Sequence, residues 1–405
     1  MKRNSINPNA CSEDSKKRKM NQLESSESSS QFSIENTQLE IVHLFDFHTD
    51  EEFSTNHIME KFHYKMRSRP LVPFSLNFEL IQTFGTEAGG FMDYGDTKNF
   101  IVHACYATIS HKLNLVLICD PYFIRGRILT FDLITRQFSK SIYLNSPRCM
   151  CIEKITPANR SLHNEEYLIV SCKDGLFKFD VKCLLETYSQ KKSLIWKNDY
   201  YKHPNIISSM DIMYASSKHR QDDNWIFMCN LSMDECVVDI LNARTGQCIS
   251  KISDFSHPPH GIAVSNSERF VAVVESKGSS IRIFENSEKP TSMNQRDLPM
   301  TNHHCEWKYV REISFNEDMF QGCYIQRLLA YDEVSKNLIV CDNCRHLLSV
   351  YNAVGGHLVK AHQTTDTRSV FSFSEYSLPH AICLNEYTGE LLVGNMEKGQ
   401  IQIFK

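Results

Sequence analysis

Residues 257–286 read HPPHGIAVSNSERFVAVVESKGSSIRIFEN. A Pro-His-Gly opening leads into the apolar run Ile262-Ala263-Val264. The polar turn SNSER follows, then FVAVVE, which is apolar at nearly every position. After a second polar loop, IRIFEN alternates apolar and polar residues. Short apolar runs punctuated by turn residues are strands rather than helices. The chain ends on the same pattern: residues 378–405 read LPHAICLNEYTGELLVGNMEKGQIQIFK. Both stretches run Pro-His, strand, turn, strand, loop, strand, and both third strands contain Ile-Phe.

Outward from these two copies the pattern recurs. Residues 102–132 and 325–353 carry it clearly; residues 151–180 and 207–246 carry it in degenerate form. A fourth short strand follows five of the copies: FSKSIYL (138–144), SLIWKN (193–198), CISKIS (248–253), KYVREISF (308–315) and HLVKAH (357–362). The sixth copy has none, because the chain stops at Lys405. FELIQTFG (78–85), before the first copy, resembles the missing strand. A fixed period of three or four strands is the mark of a repeat architecture. The expectation is an all-β fold: a six-bladed β-propeller of four-stranded antiparallel blades, its ring closed by the N-terminal strand. Closure removes an edge that would otherwise stay open. Second strands such as NLVLICD and NLIVCD should be buried on both faces. The third strands should alternate.

The Pro-His-Gly opening, the Val-Val-Glu-Ser position and Ser-Ile-Arg-Ile-Phe of 257–286 resemble the NHL repeat. The resemblance spans about residues 76–405, and the copies at 151–180 and 207–246 lack the Pro-His-Gly opening. It implies a propeller, commonly six-bladed. A WD-repeat propeller fits less well, since no Trp-Asp closes a third strand. A kelch propeller wants paired glycines in each blade, and only Gly89-Gly90 and Gly355-Gly356 occur.

Residues 74–405 thus form one propeller domain. Residues 1–38 read as a disordered tail: nine of the first 33 residues are serine, with six cations and six anions in the first 40. Within it Lys2-Arg3 and Lys16-Lys17-Arg18-Lys19, twelve residues apart, resemble a bipartite nuclear localisation signal; a solubilising basic patch is the plainer reading. Residues 39–73 are a linker with a short helix over 49–67, capped at Thr49 and striped with Phe53, Ile58, Phe62 and Met66. No apolar run reaches membrane-spanning length, and the N-terminus lacks the apolar core of a secretory leader. An intracellular protein, cytoplasmic or nuclear, is expected. Its 15 cysteines should be thiols, many of them small core residues on strands.

Chemistry in a propeller gathers where the innermost strands begin. His103, His260 and His380 each stand before or at the start of such a strand. Neutral imidazoles converging on a channel suit zinc. The resemblance implies two enzyme types here: peptidyl-hydroxyglycine lyases with channel histidines on a metal, and lactonase-like hydrolases with calcium. Pro-His-Gly also opens this repeat where no metal binds. Asp120, Cys172, Asn230, Glu275, Asp342 and Asn395 end the second strands. Their oxygens suit calcium, and equally they turn the chain and cap amides. Cys341-x-x-Cys344 lacks the second pair of a structural zinc site.

The same face carries Tyr122, Arg125, Lys173, Asp234, Lys277, Arg345 and Lys398. Mixed charge with aromatics suits a protein or peptide partner. Some NHL propellers bind RNA through a strongly basic face, but a net charge of −4 supplies no such field. No nucleophile elbow, phosphate loop or His-Glu-x-x-His is present. The expected function is therefore a non-enzymatic interaction scaffold, a monomeric ring without cofactor that recruits a protein into a larger complex. The alternative is a metal-dependent hydrolase or lyase at the channel, holding zinc or calcium.

Overall fold

Each repeat folds into one four-stranded antiparallel sheet. Blade one comprises β2 (Tyr106–Ser110), β3 (Leu115–Asp120), β4 (Arg127–Asp132) and β5 (Phe138–Tyr143). Blade two comprises β6 (Met150–Ile155), β7 (Glu165–Cys172), β8 (Gly175–Asp180) and β9 (Leu194–Asn198). Blade three holds β10 (Ile207–Met213), β11 (Trp225–Asn230), β12 (Val237–Asn242) and β13 (Cys248–Ile252). Blade four holds β14 (Pro259–Ser265), β15 (Phe270–Glu275), β16 (Ser280–Asn286) and β17 (Trp307–Ser314). Blade five holds β18 (Arg327–Asp332), β19 (Asn337–Asp342), β20 (Leu347–Asn352) and β21 (Leu358–Gln363). Blade six combines β22 (Pro379–Asn385), β23 (Glu390–Asn395) and β24 (Gln400–Phe404) with β1 (Leu80–Phe84).

This computed structural model describes residues 70–85, 101, 103–121, 126–155, 165–187, 189–201, 207–214, 224–231, 235–276, 280–286, 306–315, 327–342, 347–363, 379–395 and 399–405. The chain divides into two units, 1–61 and 62–405, and every described residue belongs to the second. The expected tail, its basic clusters and the helix over 49–67 lie outside the described residues.

The ring closes as the sequence implies. β1 pairs antiparallel with β24, setting Phe84 against Ile401 and Thr83 against Gln402. Beyond the strand ends, Glu79 N donates to Lys405 O at 3.0 Å and Lys405 N to Glu79 O at 2.9 Å. Gly85 leaves the closing strand at φ +95°, where a Cβ would sit 2.7 Å from Gly399 O, so a larger residue would push the two ends apart.

Six hydrophobic clusters fill the six seams between blades, and strand parity assigns each residue to one. On β3, Leu117 and Cys119 face blade two while Val116 and Ile118 face blade six. On β15, Ala272 and Val274 face blade five while Val271 and Val273 face blade three. Both faces of every blade are covered, which is why the second strands are apolar throughout. The third strands depart from expectation: their sequence alternates but their burial does not. β4 is buried along all but its last residue. Its polar members are bonded inside the seam: Arg127 to Asp120, and Thr130 Oγ1 to the backbone of Lys140. Exposure rises at the outermost strands, as in β9 and β13.

A second departure is helical. α1 (Val181–Thr187) and α2 (Gln190–Ser193) intervene between β8 and β9, where only strand and turn were expected. Asp180 Oδ1 caps Cys183 N at 2.7 Å, and Val181, Leu184 and Leu185 bury one side. That cap and spacing are in the sequence, hidden by the strand rhythm around them.

Of the 11 described cysteines, six are buried: Cys119, Cys149, Cys151, Cys172, Cys229 and Cys341. Burial pushes all six thiols well above their ordinary pKa, which suppresses the reactive thiolate. Cys344 lies outside the described residues.

Candidate functional site

The innermost strands β2, β6, β10, β14, β18 and β22 surround the central channel, each with one edge unpaired by its own sheet. A bare backbone edge in a partly buried channel costs free energy unless side chains satisfy it. Neighbouring blades do so here. Cys105 Sγ lies 3.0 Å from Arg148 O, linking blades one and two. Tyr214 Oη donates to Ile152 O at 2.9 Å, linking three and two. Asp211 Oδ2 accepts Val264 N at 2.8 Å, and Ser208 Oγ donates to Pro259 O at 3.3 Å, linking three and four. Glu333 of blade five accepts Asn266 N of blade four.

Tyr106 reaches furthest. From β2 in blade one its Oη donates to Met210 O in blade three at 2.7 Å, with Ser209 Oγ at 3.4 Å. The phenol therefore passes the intervening blade and crosses the channel. Near it Asp211 also accepts Ile212 N at 2.8 Å. Burial raises the Asp211 pKa to about 7, with Glu386 and Glu333 adding repulsion and its two amide donors opposing the shift. Sequence reading missed both residues. Nothing in ACYATIS or SSMDIMY distinguishes a channel-crossing phenol or an inter-blade carboxylate from ordinary strand residues.

Of the three expected histidines, the structure brings two together. His103 and His380, at the starts of the innermost strands of adjacent blades one and six, have ring centroids 5.0 Å apart. Burial lowers both pKa values, His103 to about 3 with help from His380, so both rings are neutral at physiological pH. His260 is the second residue of β14 in blade four, three blades around the ring from blade one. Among the described residues no group of three or more His, Cys, Asp or Glu side chains is placed to hold a metal ion. A zinc-binding set of these three histidines is therefore not assembled.

Two of the strand-end residues, Asp120 and Glu275, are engaged as clamps. Asp120 Oδ1 accepts His103 N at 3.1 Å, and Asp120 Oδ2 lies 3.1 Å from Arg127 Nε with both side chains fully buried. Glu275 repeats the device: it accepts His257 N at 2.6 Å and faces Arg282 at 3.5 Å. Asn230 instead donates to Asp239 at 2.9 Å. Each acid ties the segment entering an innermost strand to the end of the second strand. Carboxylates already matched by guanidinium and amides fit a calcium ion poorly.

Of the seven residues assigned to the loop face, only Lys173 is described. It is exposed in the turn after β7, where its backbone N donates to Asn145 O at 2.8 Å. Tyr122, Arg125, Asp234, Lys277, Arg345 and Lys398 lie outside the described residues. No helix among the described residues is long and apolar enough to cross a membrane.

No protein-family model matches the chain. None of the curated proteins matches it either. Among solved structures it is similar to the β-propeller domain of Myceliophteria thermophila Cps50 (Swd1), at 12% identity and a TM-score of 0.48, over 80% of this chain and 98% of that one. A likeness at that level says nothing of function.

Proposed function

We propose that the protein is a non-enzymatic interaction scaffold whose NHL-like propeller presents a surface to a protein or peptide partner. The observation that carries this reading is how the channel spends its polar groups. Tyr106, Asp211, Tyr214 and Ser208 satisfy strand edges between blades, and Asp120 and Glu275 hold incoming segments. A catalytic channel needs polar groups aimed at a substrate, and these are aimed at the protein's own backbone. The NHL-like assignment rests on the repeat pattern, chiefly 257–286 and 378–405. The near-neutral charge balance favours a protein partner over RNA. Lys2-Arg3 and Lys16–Lys19 support import into the nucleus, which a fluorescent fusion with and without residues 1–20 tests.

Elemental analysis of the purified full chain tests the scaffold reading against the metal-dependent one. Zinc and calcium are expected well below one equivalent. A stoichiometric ion, lost on His103→Ala with His380→Ala or on Asp120→Asn, would overturn the scaffold reading.

A further inference from the structure

Each blade ends in an outermost strand whose far edge no strand of its own sheet covers: β5, β9, β13, β17, β21 and β1. Such an edge is a row of unpaired N–H and C=O groups. Folds protect it with a bulge or with charge, lysine above all. All six edges carry the bulge. Where the outermost strand pairs with the third, one residue is skipped: Ser139, Ile195, Ile249, Val310, Val359 and Ile81. The two positions after the bulge therefore correspond around the ring. Blade one has Lys140 there, blade two Lys197, blade three Lys251, blade four Arg311 with Glu312, and blade five Lys360. Blade six has Gln82 and Thr83. Of these six outermost strands β1, Leu-Ile-Gln-Thr-Phe, alone holds no charged residue.

The strand is firmly seated yet open outward. Phe84 anchors it in the seam with blade one, its ring 5.0 Å from Phe131, and β24 holds its inner edge. Residues 80–83 are all exposed, Leu80 at 50% and Ile81 at 43%. Among the described residues no backbone group outside β24 bonds to Leu80–Phe84. On β5, by contrast, Gln190 Nε2 donates to Tyr143 O at 2.7 Å and Lys140 reaches across to Leu185 O. Leu80 lies opposite Phe404, on the side of β1 that faces blade five. There Phe78 stacks on His362 with ring centroids 4.9 Å apart, and His362 meets Phe404 at 5.7 Å. A strand laid along β1 would present alternate side chains to that apolar flank.

We infer that β1 takes an extended, uncharged segment of a partner protein as a fifth strand of blade six. The inference rests on the scaffold reading and gives it a contact besides the loop face. The backbone sets the form of the ligand: a row of free amides and carbonyls at strand spacing is matched by another extended backbone. The side chains set its chemistry. Leu80, Ile81, Gln82 and Thr83 bring no charge, so a charged residue pressed against them would lose water and gain no partner. Uncharged strands without proline or glycine are those that add readily to one another. Area decides between a peptide and a second copy of this chain. Two β1 strands paired about a two-fold axis would contribute five residues each, far short of the roughly 800 Å² per partner in a stable interface. A peptide held by main-chain bonds needs only the strand itself.

The test is selection of a displayed random-peptide library against the full chain, followed by affinity measurement with the enriched peptides. These should carry an uncharged run rich in β-branched and aromatic residues. They should bind about tenfold or more weakly to Gln82→Lys, which copies Lys140 and Lys360, and to Thr83→Lys, which copies Lys197 and Lys251. Both sites are exposed, so the melting curves of the variants should match the wild type. A second measurement needs no variant. Methyl groups on alternate peptide nitrogens should abolish binding to wild type in one phase and spare it in the other, because only every second amide of an added strand faces β1. The inference is overturned if the peptides bind both variants as tightly as wild type, if both methylation phases bind equally, or if sedimentation shows a wild-type dimer that Gln82→Lys dissolves. If no peptide is enriched, yet a stoichiometric partner is captured and lost on charge reversal of Arg125, Lys277 and Arg345, the β1 edge is defeated and the scaffold reading stands.

Discussion

Tyr106 Oη donates to the carbonyl of Met210 at 2.7 Å, joining blade one to blade three across the central channel. The bond satisfies an innermost-strand carbonyl that no strand of blade three can reach. Tyr106→Phe keeps the ring and removes the donor. A buried carbonyl left unsatisfied costs about 1–3 kcal/mol, so the variant should unfold at measurably lower urea with an unchanged far-ultraviolet spectrum. An unchanged midpoint would mean that water replaces the phenol at no cost.

The Asp120–Arg127 pair is fully buried, and Asp120 also holds His103 N. Asp120→Asn keeps an acceptor for that amide but takes the carboxylate from Arg127. Removing one partner of a buried pair costs about 3–5 kcal/mol, whereas Asp120→Asn with Arg127→Met should recover much of the loss. Denaturant unfolding of the single and double variants checks this through their coupling energy.

Asp211 sets a pH dependence of unusual sign. Its folded pKa, about 7, lies above the ordinary carboxylate value of 3.8. The folded state therefore binds the proton more tightly than the unfolded chain. Asp211 is neutral with respect to stability below about pH 4 and increasingly unfavourable as pH rises to 7, by at most roughly 4 kcal/mol. Asp211 as a residue is only partly buried, which makes that figure an upper bound. Tyr106, Cys151, Tyr214 and Cys383 share its surroundings and titrate above it, and the charges of Glu386 and Glu333 act on it. Asp211→Asn should match wild type near pH 4 and exceed it in melting temperature at pH 8. A constant difference across that range would contradict the assignment.

Ring closure rests on residues 74–85. Phe74 and Phe78 fill the seam between blades five and six, and β1 covers β24. Deleting 74–85 should expose Ile401, Ile403 and Phe404 and cause aggregation on expression. A deleted chain that stays in solution with unchanged melting would show that the ring closes without its N-terminal strand.

Architecture was legible in the sequence because it is periodic. FVAVVE and NLIVCD announce strands covered on both faces, and FELIQTFG announces the strand missing after Lys405. Function was less legible because it depends on distances between blades. The spacing of Pro-His motifs places three histidines at equivalent positions, yet equivalence around a ring sets His260 across from blade one rather than beside it. Asp120 and Glu275 look like cation ligands until their guanidinium and amide partners are seen.

That this ring works by binding a protein is tested most directly by tandem affinity purification of the full chain from its own cells, with partner stoichiometry measured by quantitative mass spectrometry. One partner should co-purify near one-to-one and be lost when Arg125, Lys277 and Arg345 are all reversed in charge. Recovery of the chain alone, with no stoichiometric partner under conditions that preserve known complexes, would contradict it.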